Sequence, residues 1–232
     1  MVHLTGVRDV LLVNCRRRSG GVARLPCEDP PMVWSDEVLV MVSPLRAYEA
    51  LAAREEPAPR RALARRVATF VGTFAVVGSL TTAGRFVAGH LLGIALAWSF
   101  VPMLQAVTIA ITSRLAPKRL SLARAVELHM AGNGPYLAFF IGVAAVILGA
   151  RDVSATFAWL VDSYVLASAG GAMIFGGAVT SYAFYRSCTG ATRRRALGLL
   201  AVEWVVKVGI TLAWFAAMDN LAPQLLGPRG SG

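Results

Sequence analysis

The chain has 232 residues, of which 56% are hydrophobic, and its formal charge at pH 7 is +10. A soluble protein with this charge would be expected to bind nucleic acid, but most of the excess Arg lies beside long apolar stretches, where it orients a chain in a membrane. Nucleic acid is therefore not expected as a partner, and three scattered cysteines with three scattered histidines argue against a disulfide framework, a metal site or a cofactor.

Residues 1–66 differ in composition from the rest of the chain. They hold eight of the 13 acidic residues and 11 of the 23 basic ones, so we expect this segment to face water or the membrane surface on the cytoplasmic side. Residues 1–32 show no convincing hydrophobic period. We expect them either to be disordered or not to belong to the natural start of the protein.

A short amphipathic helix is predicted near residues 43–55. Ser43 is a suitable N-cap, and Pro44 suits the first helical position. The helix is expected either to lie in the cytoplasmic headgroup layer or to dock a partner protein. Its predicted apolar face consists of Leu45, Tyr48, Leu51 and Ala52.

Five apolar stretches dominate residues 67–218. A helix needs roughly 17 to 25 residues to cross a bilayer, and spanning segments without strand alternation are expected to be helical. The sequence therefore predicts an all-α, polytopic transmembrane helical bundle. The third stretch is short and is expected to borrow the turn before it. The predicted spans are 67–84, 86–112, 136–150, 164–185 and 197–218.

Basic residues lie in alternate flanks of these stretches. Thirteen Lys and Arg residues fall on one side of the predicted layer and three on the other. The positive-inside rule then predicts a cytoplasmic N-terminus, an external tail at 219–232 and residence in the cell membrane. We call the main residues on the cytoplasmic side the basic surface, and we expect it to attract anionic headgroups. It comprises Arg60, Arg61, Arg65, Arg66, Arg114, Lys118, Arg119, Arg124, Arg193, Arg194 and Arg195.

The second and fourth stretches contain features that bear on packing. Pro102 lies within the second stretch, where a proline kinks a helix. Three pairs of small residues at a spacing of four predict either close helix packing at the bundle centre or a homo-oligomeric face, although Gly is common in spans in any case. The pairs are Gly89 with Gly93, Ala167 with Gly171, and Gly177 with Ser181.

A further short helix is predicted between the second and third stretches. Residues 121–130 place Leu122, Ala125, Val126 and Met130 on one side. The run Ala-Gly-Asn-Gly-Pro at 131–135 follows and is expected to end this helix, because Gly and Pro break helices.

The fifth stretch carries two charges. Glu203 and Lys207 lie four residues apart, roughly 12 and 18 Å from Arg195 at about 1.5 Å per residue. This spacing favours an ion pair within the helix, and charges at this depth mark either an internal pair or a functional site. Three interpretations follow: a structural pair that meets a polar group such as Gln105, a proton or solute path, and an oligomer contact.

The order of these parts resembles that of the Yip domain family, the Ypt-interacting proteins. The resemblance covers about residues 38–218 and lies in Ser-Pro-Leu-Arg-Ala-Tyr-Glu-Ala-Leu at 43–51, in a short cytoplasmic helix that ends at Gly134-Pro135, and in the loop Thr-Gly-Ala-Thr-Arg-Arg-Arg-Ala at 189–196. It implies five spans with the N-terminus in the cytosol. Eukaryotic members associate with Rab-type GTPases in vesicle traffic, but this chain lacks their Asp-Leu-Tyr-Gly-Pro motif. Its 21 Arg and two Lys residues are typical of a bacterial member.

These features predict a non-enzymatic membrane scaffold or adaptor of the Yip type. Its partners would be the lipid surface, a membrane or cytosolic protein, or a second copy of the chain. The alternative is a small transporter or channel that uses Glu203 and Lys207.

Overall fold

The computed structural model describes residues 33–54, 58–150 and 152–226. The expectation for residues 1–32 and the end of the predicted tail, 227–232, lie outside the described residues. Within the described ranges the chain is helical and contains no strand. The ten α-helices are α1 Val33–Val42, α2 Pro44–Ala53, α3 Pro59–Ala83, α4 Ala88–Trp98, α5 Phe100–Leu115, α6 Leu122–Met130, α7 Gly134–Gly149, α8 Val153–Asp162, α9 Val165–Ser187 and α10 Arg193–Leu226.

Among the described residues, five helical segments are long and apolar enough to span a membrane, which confirms the all-α prediction and gives the predicted number of candidate spans. The first begins eight residues before the predicted position, because the Arg-rich turn from Arg60 to Arg66 is already helical. The last helix continues beyond residue 218, so the predicted tail begins inside α10. The candidate spans are Pro59–Thr82, Ala88–Leu115, Leu122–Gly149, Val165–Ser187 and Arg193–Ala213.

The breaker run at 131–135 does not end the helical segment. Ala131–Asn133 form a 3-10 turn that joins α6 to α7, and Pro135 lies in the first turn of α7, where it disturbs no helical hydrogen bond. The turn is buried, and neighbouring side chains bond its polar groups: the Thr180 hydroxyl donates to the Gly132 carbonyl at 3.1 Å. The predicted end of the α-helix at Met130 is confirmed. The candidate span nevertheless continues through the 3-10 turn, because tertiary hydrogen bonds support a turn that local propensity disfavours.

The second candidate span is interrupted at Ser99, between α4 and α5. Pro102 follows by three residues; it has no N–H for the carbonyl of Trp98, and its ring crowds that carbonyl. Trp98 therefore ends α4, and its ring stacks on Phe74 with the ring centroids 4.0 Å apart. Phe140 packs edge-on against both rings, at 5.0 Å from Phe74 and 4.9 Å from Trp98.

The apolar face of α2 is buried inside the protein. Tyr48 is completely buried and lies 5.9 Å from the ring of Phe184 on α9, and Leu51 is also buried. Only Leu45 of the predicted face is exposed. The predicted helix is therefore present, but α9 covers most of the apolar face that was expected to meet headgroups or a partner.

Helix α1, which the sequence did not predict, packs on the start of α7. Gly134 makes this contact possible: a Cβ at that position would lie 2.8 Å from the backbone oxygen of Glu37. The opposite side of α1 exposes Val38, Leu39 and Val42. The N-terminal helices are thus attached to the bundle on one side only.

The small-residue pairs lie in two kinds of environment. Gly177 and Ser181 are buried, and a Cβ on Gly177 would lie 2.7 Å from the Tyr136 hydroxyl oxygen. A Cβ on Gly89, Gly93 or Gly171 would meet nothing within 4 Å. One pair therefore serves packing within the bundle, and the other two face outward, as does Ala167.

Candidate functional site

Glu203 forms the centre of a buried polar cluster. Its side chain is completely buried, and its Oε1 atom accepts a hydrogen bond from the Lys207 ammonium one turn later on α10. The Ser181 hydroxyl on α9 donates to the same oxygen at 3.0 Å. Nε2 of His129, at the end of α6, lies 3.1 Å away. Three helices therefore converge on one carboxylate oxygen.

The predicted partner of this pair was wrong. Gln105 bonds instead to Asn133 in the 3-10 turn, with its amide nitrogen 2.7 Å from the Asn133 Oδ1 atom. The Asn133 amide donates back to Gln105 at 3.3 Å. Both side chains are buried, so two amides satisfy each other next to the charged cluster.

His129 is a member of the cluster that the sequence did not predict. A weak signal was present: His129 lies three residues after Val126 and four after Ala125, so it shares the apolar side of α6. Its ring packs perpendicular to Phe184, with the centroids 5.3 Å apart. Ser181 was predicted only as a small packing residue, and its hydroxyl contact to Glu203 has no local sequence signal.

A Ser, a His and a Glu in contact invite comparison with a catalytic triad. In a triad the imidazole bridges the hydroxyl and the acid through its two different nitrogens. Here Nε2 of His129 contacts both Ser181, at 3.3 Å, and Glu203, and Nδ1 has no hydrogen-bond partner among the described residues. Ser181 moreover donates directly to the acid. The geometry therefore does not support nucleophile activation.

A second polar network surrounds Arg66 on α3. Its three guanidinium nitrogens each donate to a different carboxylate at 2.7 Å: Nε to Glu127, Nη1 to Glu37 and Nη2 to Asp36. Arg124 donates to the other Glu127 oxygen at 2.6 Å. Burial raises the pKa of Glu37, and the positive charge of Arg66 opposes this rise.

This network corrects the predicted basic surface. Arg66 is only 7% exposed, and Arg124 is partly buried and donates to the backbone oxygens of Leu51 and Arg54. Both residues hold the N-terminal helices to the bundle, since carboxylates and carbonyls surround them. The other nine members of the predicted basic surface are exposed: Arg60, Arg61, Arg65, Arg114, Lys118, Arg119, Arg193, Arg194 and Arg195.

A cavity of about 270 Å³ lies beside the Glu203 cluster. Its walls come from all five candidate spans, and Lys207 lines it while also bonding to Glu203. Gln105 and Asn133 line it as well, together with the aromatic rings of α3, α4 and α7. Lys207 thus connects the buried charged cluster with this space.

Cys188, at the end of α9, is expected to react slowly in the folded protein because its side chain is buried. Its thiol is 1% exposed, and its sulfur lies 3.8 Å from the Tyr48 carbonyl oxygen. Burial raises the pKa of this thiol from 9.0 to about 12, so its thiolate population at pH 7 is lower by on the order of a thousandfold. With Cys15 and Cys27 replaced by Ser, we expect maleimide to label Cys188 at least about a hundredfold faster in the denatured protein than in the folded one.

The raised pKa of Cys188 makes the stability of the folded protein decrease at alkaline pH. The folded state holds the Cys188 proton more tightly than the unfolded state, so the contribution to stability is complete below about pH 9 and is lost as the pH rises toward 12. Cys188→Ala should remove this part of the alkaline decline in an unfolding titration. Rapid labelling of the native protein at pH 7 would show that the thiol is accessible and contradict this account.

The described residues contain no group of three or more His, Cys, Asp or Glu side chains that could hold a metal ion. No protein-family model, curated protein or solved structure matches this chain, so its function must be argued from its own residues.

Proposed function

We propose that this protein is a non-enzymatic scaffold or adaptor of the Yip type in a bacterial inner membrane. Its N-terminus would lie in the cytoplasm and its C-terminus outside, as the 13 to 3 division of basic residues favours. The observation that carries the proposal is the state of Glu203: a completely buried carboxylate bonded to three side chains from three helices is suited to fixing helix positions.

The exposed part of the basic surface is the proposed working surface. Arg193, Arg194 and Arg195 are consecutive and exposed at the start of α10. On the cytoplasmic side they would attract anionic headgroups and an acidic surface of a protein partner.

The second candidate function is transport of a small solute. The cavity of about 270 Å³ favours it, because all five candidate spans line this cavity and Lys207 reaches it. In that case Glu203 would hold the Lys207 ammonium at the solute site.

Affinity recovery from the native membrane after crosslinking tests the scaffold. We expect the wild type and the double variant Glu203→Gln, Lys207→Met to recover the same stoichiometric protein partner. Replacing Arg193, Arg194 and Arg195 together by Ser should reduce this recovery at least about tenfold, whereas replacement of all three by Lys keeps the charge and should retain it.

Liposomes containing the purified protein decide between the two functions. If the wild type carries a solute or ion across the liposome membrane and the Glu203→Gln, Lys207→Met variant does not, the protein is a transporter and the scaffold proposal is rejected. Flux that survives in this variant would exclude the pair from the path. Absence of flux together with a partner that depends on the three Arg residues would support the scaffold.

A further inference from the structure

The cavity beside Lys207 has mostly apolar walls. Phe70 and Phe74 on α3, Trp98 on α4 and Phe140 on α7 contribute aromatic rings. Three of these rings, those of Phe74, Trp98 and Phe140, contact one another with centroids 4.0 to 5.0 Å apart. Rings held by mutual packing present a rigid apolar surface, so the cavity does not depend on one mobile side chain.

The polar side chains that line the cavity each have N–H donors that the hydrogen bonds described above leave unused. The Lys207 ammonium has three N–H donors, and its bond to Glu203 uses one of them. The amides of Gln105 and Asn133 each have two donors, and their mutual pair uses one from each. A ligand group here would thus meet donors, because Glu203, whose Oε1 has three partners and whose Oε2 has none among the described residues, does not line the cavity.

We infer that this cavity binds a single-chain or single-ring amphiphile, with its apolar part among the aromatic rings and an oxygen acceptor, a carboxylate or a carbonyl, at Lys207, Gln105 and Asn133. Ligand pockets combine mostly apolar walls with a few polar groups that fix orientation, and this cavity has that composition. The inference does not depend on whether the protein is a scaffold or a transporter.

The size of the cavity limits the ligand. Its volume of about 270 Å³ lies just below the roughly 300 to 1,000 Å³ of sites for drug-sized ligands. A lipid with two acyl chains does not fit within such a space, whereas one chain end or one ring does.

Photocrosslinking tests this inference with the full-length protein in detergent micelles. The probe is a medium-chain fatty acid, which a cavity of about 270 Å³ can hold whole. It carries a diazirine near its methyl end, and mass spectrometry locates the labelled residues. We expect saturable labelling of the cavity wall at Phe74, Trp98 or Phe140. Unsaturable labelling spread over outward-facing residues such as Val205 and Leu212, which are 72% and 64% exposed, would overturn the inference.

A pair of adjacent substitutions supplies the control. Met173 on α9 lines the cavity, so Met173→Trp should fill it and reduce labelling at least about tenfold. Ile174 is the next residue and is 47% exposed, so Ile174→Trp adds the same bulk outside the cavity and should leave labelling unchanged. Equal labelling of the two variants would overturn the inference, provided that both unfold at the temperature of the wild type.

Competition with unlabelled compounds on the wild type identifies the polar group and needs no variant to fold. The fatty acid, its methyl ester and the hydrocarbon of equal length differ only at one end. Competition by the acid alone would assign a carboxylate ligand, and competition by acid and ester would assign a carbonyl acceptor; both support the inference. Equal competition by the hydrocarbon would overturn it, because the donors would then have no role.

Discussion

Replacing Arg66 by Gln should lower the free energy of unfolding by about 3 to 5 kcal/mol, the usual cost of removing one member of a buried ion pair. Arg66 donates to three carboxylates, those of Asp36, Glu37 and Glu127, through three different nitrogens. Without it, Glu37 remains buried without its ion-pair partner, and Glu127 keeps only its bond to Arg124. Equilibrium unfolding in detergent micelles measures the loss.

The same substitution should free α1 from the bundle, because two of the three carboxylates belong to that helix. Limited trypsin digestion should then cleave at Arg54 at least about tenfold faster than in the wild type. Arg65→Gln is the matched control, since Arg65 is the preceding residue and is exposed; it should change neither measurement. Full stability in Arg66→Lys would contradict the argument, because one ammonium cannot reproduce the planar geometry of three guanidinium nitrogens.

A double-mutant cycle on Glu203 and Lys207 should show strong coupling. We expect Lys207→Met to cost about 3 to 5 kcal/mol of unfolding free energy, because it leaves a completely buried carboxylate without its ammonium partner. Glu203→Gln should cost less, since the Lys207 side chain is 20% exposed and keeps some solvation. The double variant should be more stable than the sum of the two losses predicts, by about 0.5 to 3 kcal/mol.

Thermal unfolding of the four proteins in one detergent measures this coupling. Val205→Ala is a suitable control, because Val205 lies on the same helix between the two charges and is 72% exposed. Additive losses would show that the two side chains act independently. In that case the short contact between them would have no energetic meaning.

The existence and type of the spans could be predicted because both depend on local properties. A run of about 20 apolar residues is visible in the sequence and has few alternatives in a bilayer. The turn at 131–133 could not be predicted in this way. Its support comes from Thr180, which is 48 residues away from Gly132, and from Gln105, which is 28 residues from Asn133.

The contacts of the candidate site are likewise of two kinds: a local contact that the sequence predicts, and tertiary contacts that it does not. Glu203 and Lys207 are four residues apart on one helix, so their pairing follows from helical geometry. Ser181 and His129 lie 22 and 74 residues from Glu203, and only the packing of α6, α9 and α10 brings them together. A tertiary contact of this kind has no signal in a single sequence.

Arg66 shows the limit of arguments from charge counts. The positive-inside rule treats all basic residues in a flank alike, and Arg65 and Arg66 contribute equally to it. Helix rotation distinguishes them: Arg65 points outward, and Arg66 points toward carboxylates that are 29 to 61 residues away. The sequence could not identify these partners, because α1, which carries Asp36 and Glu37, was not predicted, and because only tertiary packing brings Glu127 on α6 to Arg66.

The contacts of Arg66 and Tyr48 also limit how early the N-terminal helices can reach their final positions during synthesis. The helices α1 and α2 leave the ribosome first, as N-terminal segments do, but Glu127 lies on α6 and the cover for Tyr48 is Phe184 on α9. Arg66 must therefore wait for its third carboxylate until about half of the chain has been made, and α2 must wait for the fourth candidate span. Helix α2 is consequently among the last of the described elements to reach its final position, and truncated chains that end before residue 184 should leave it undocked.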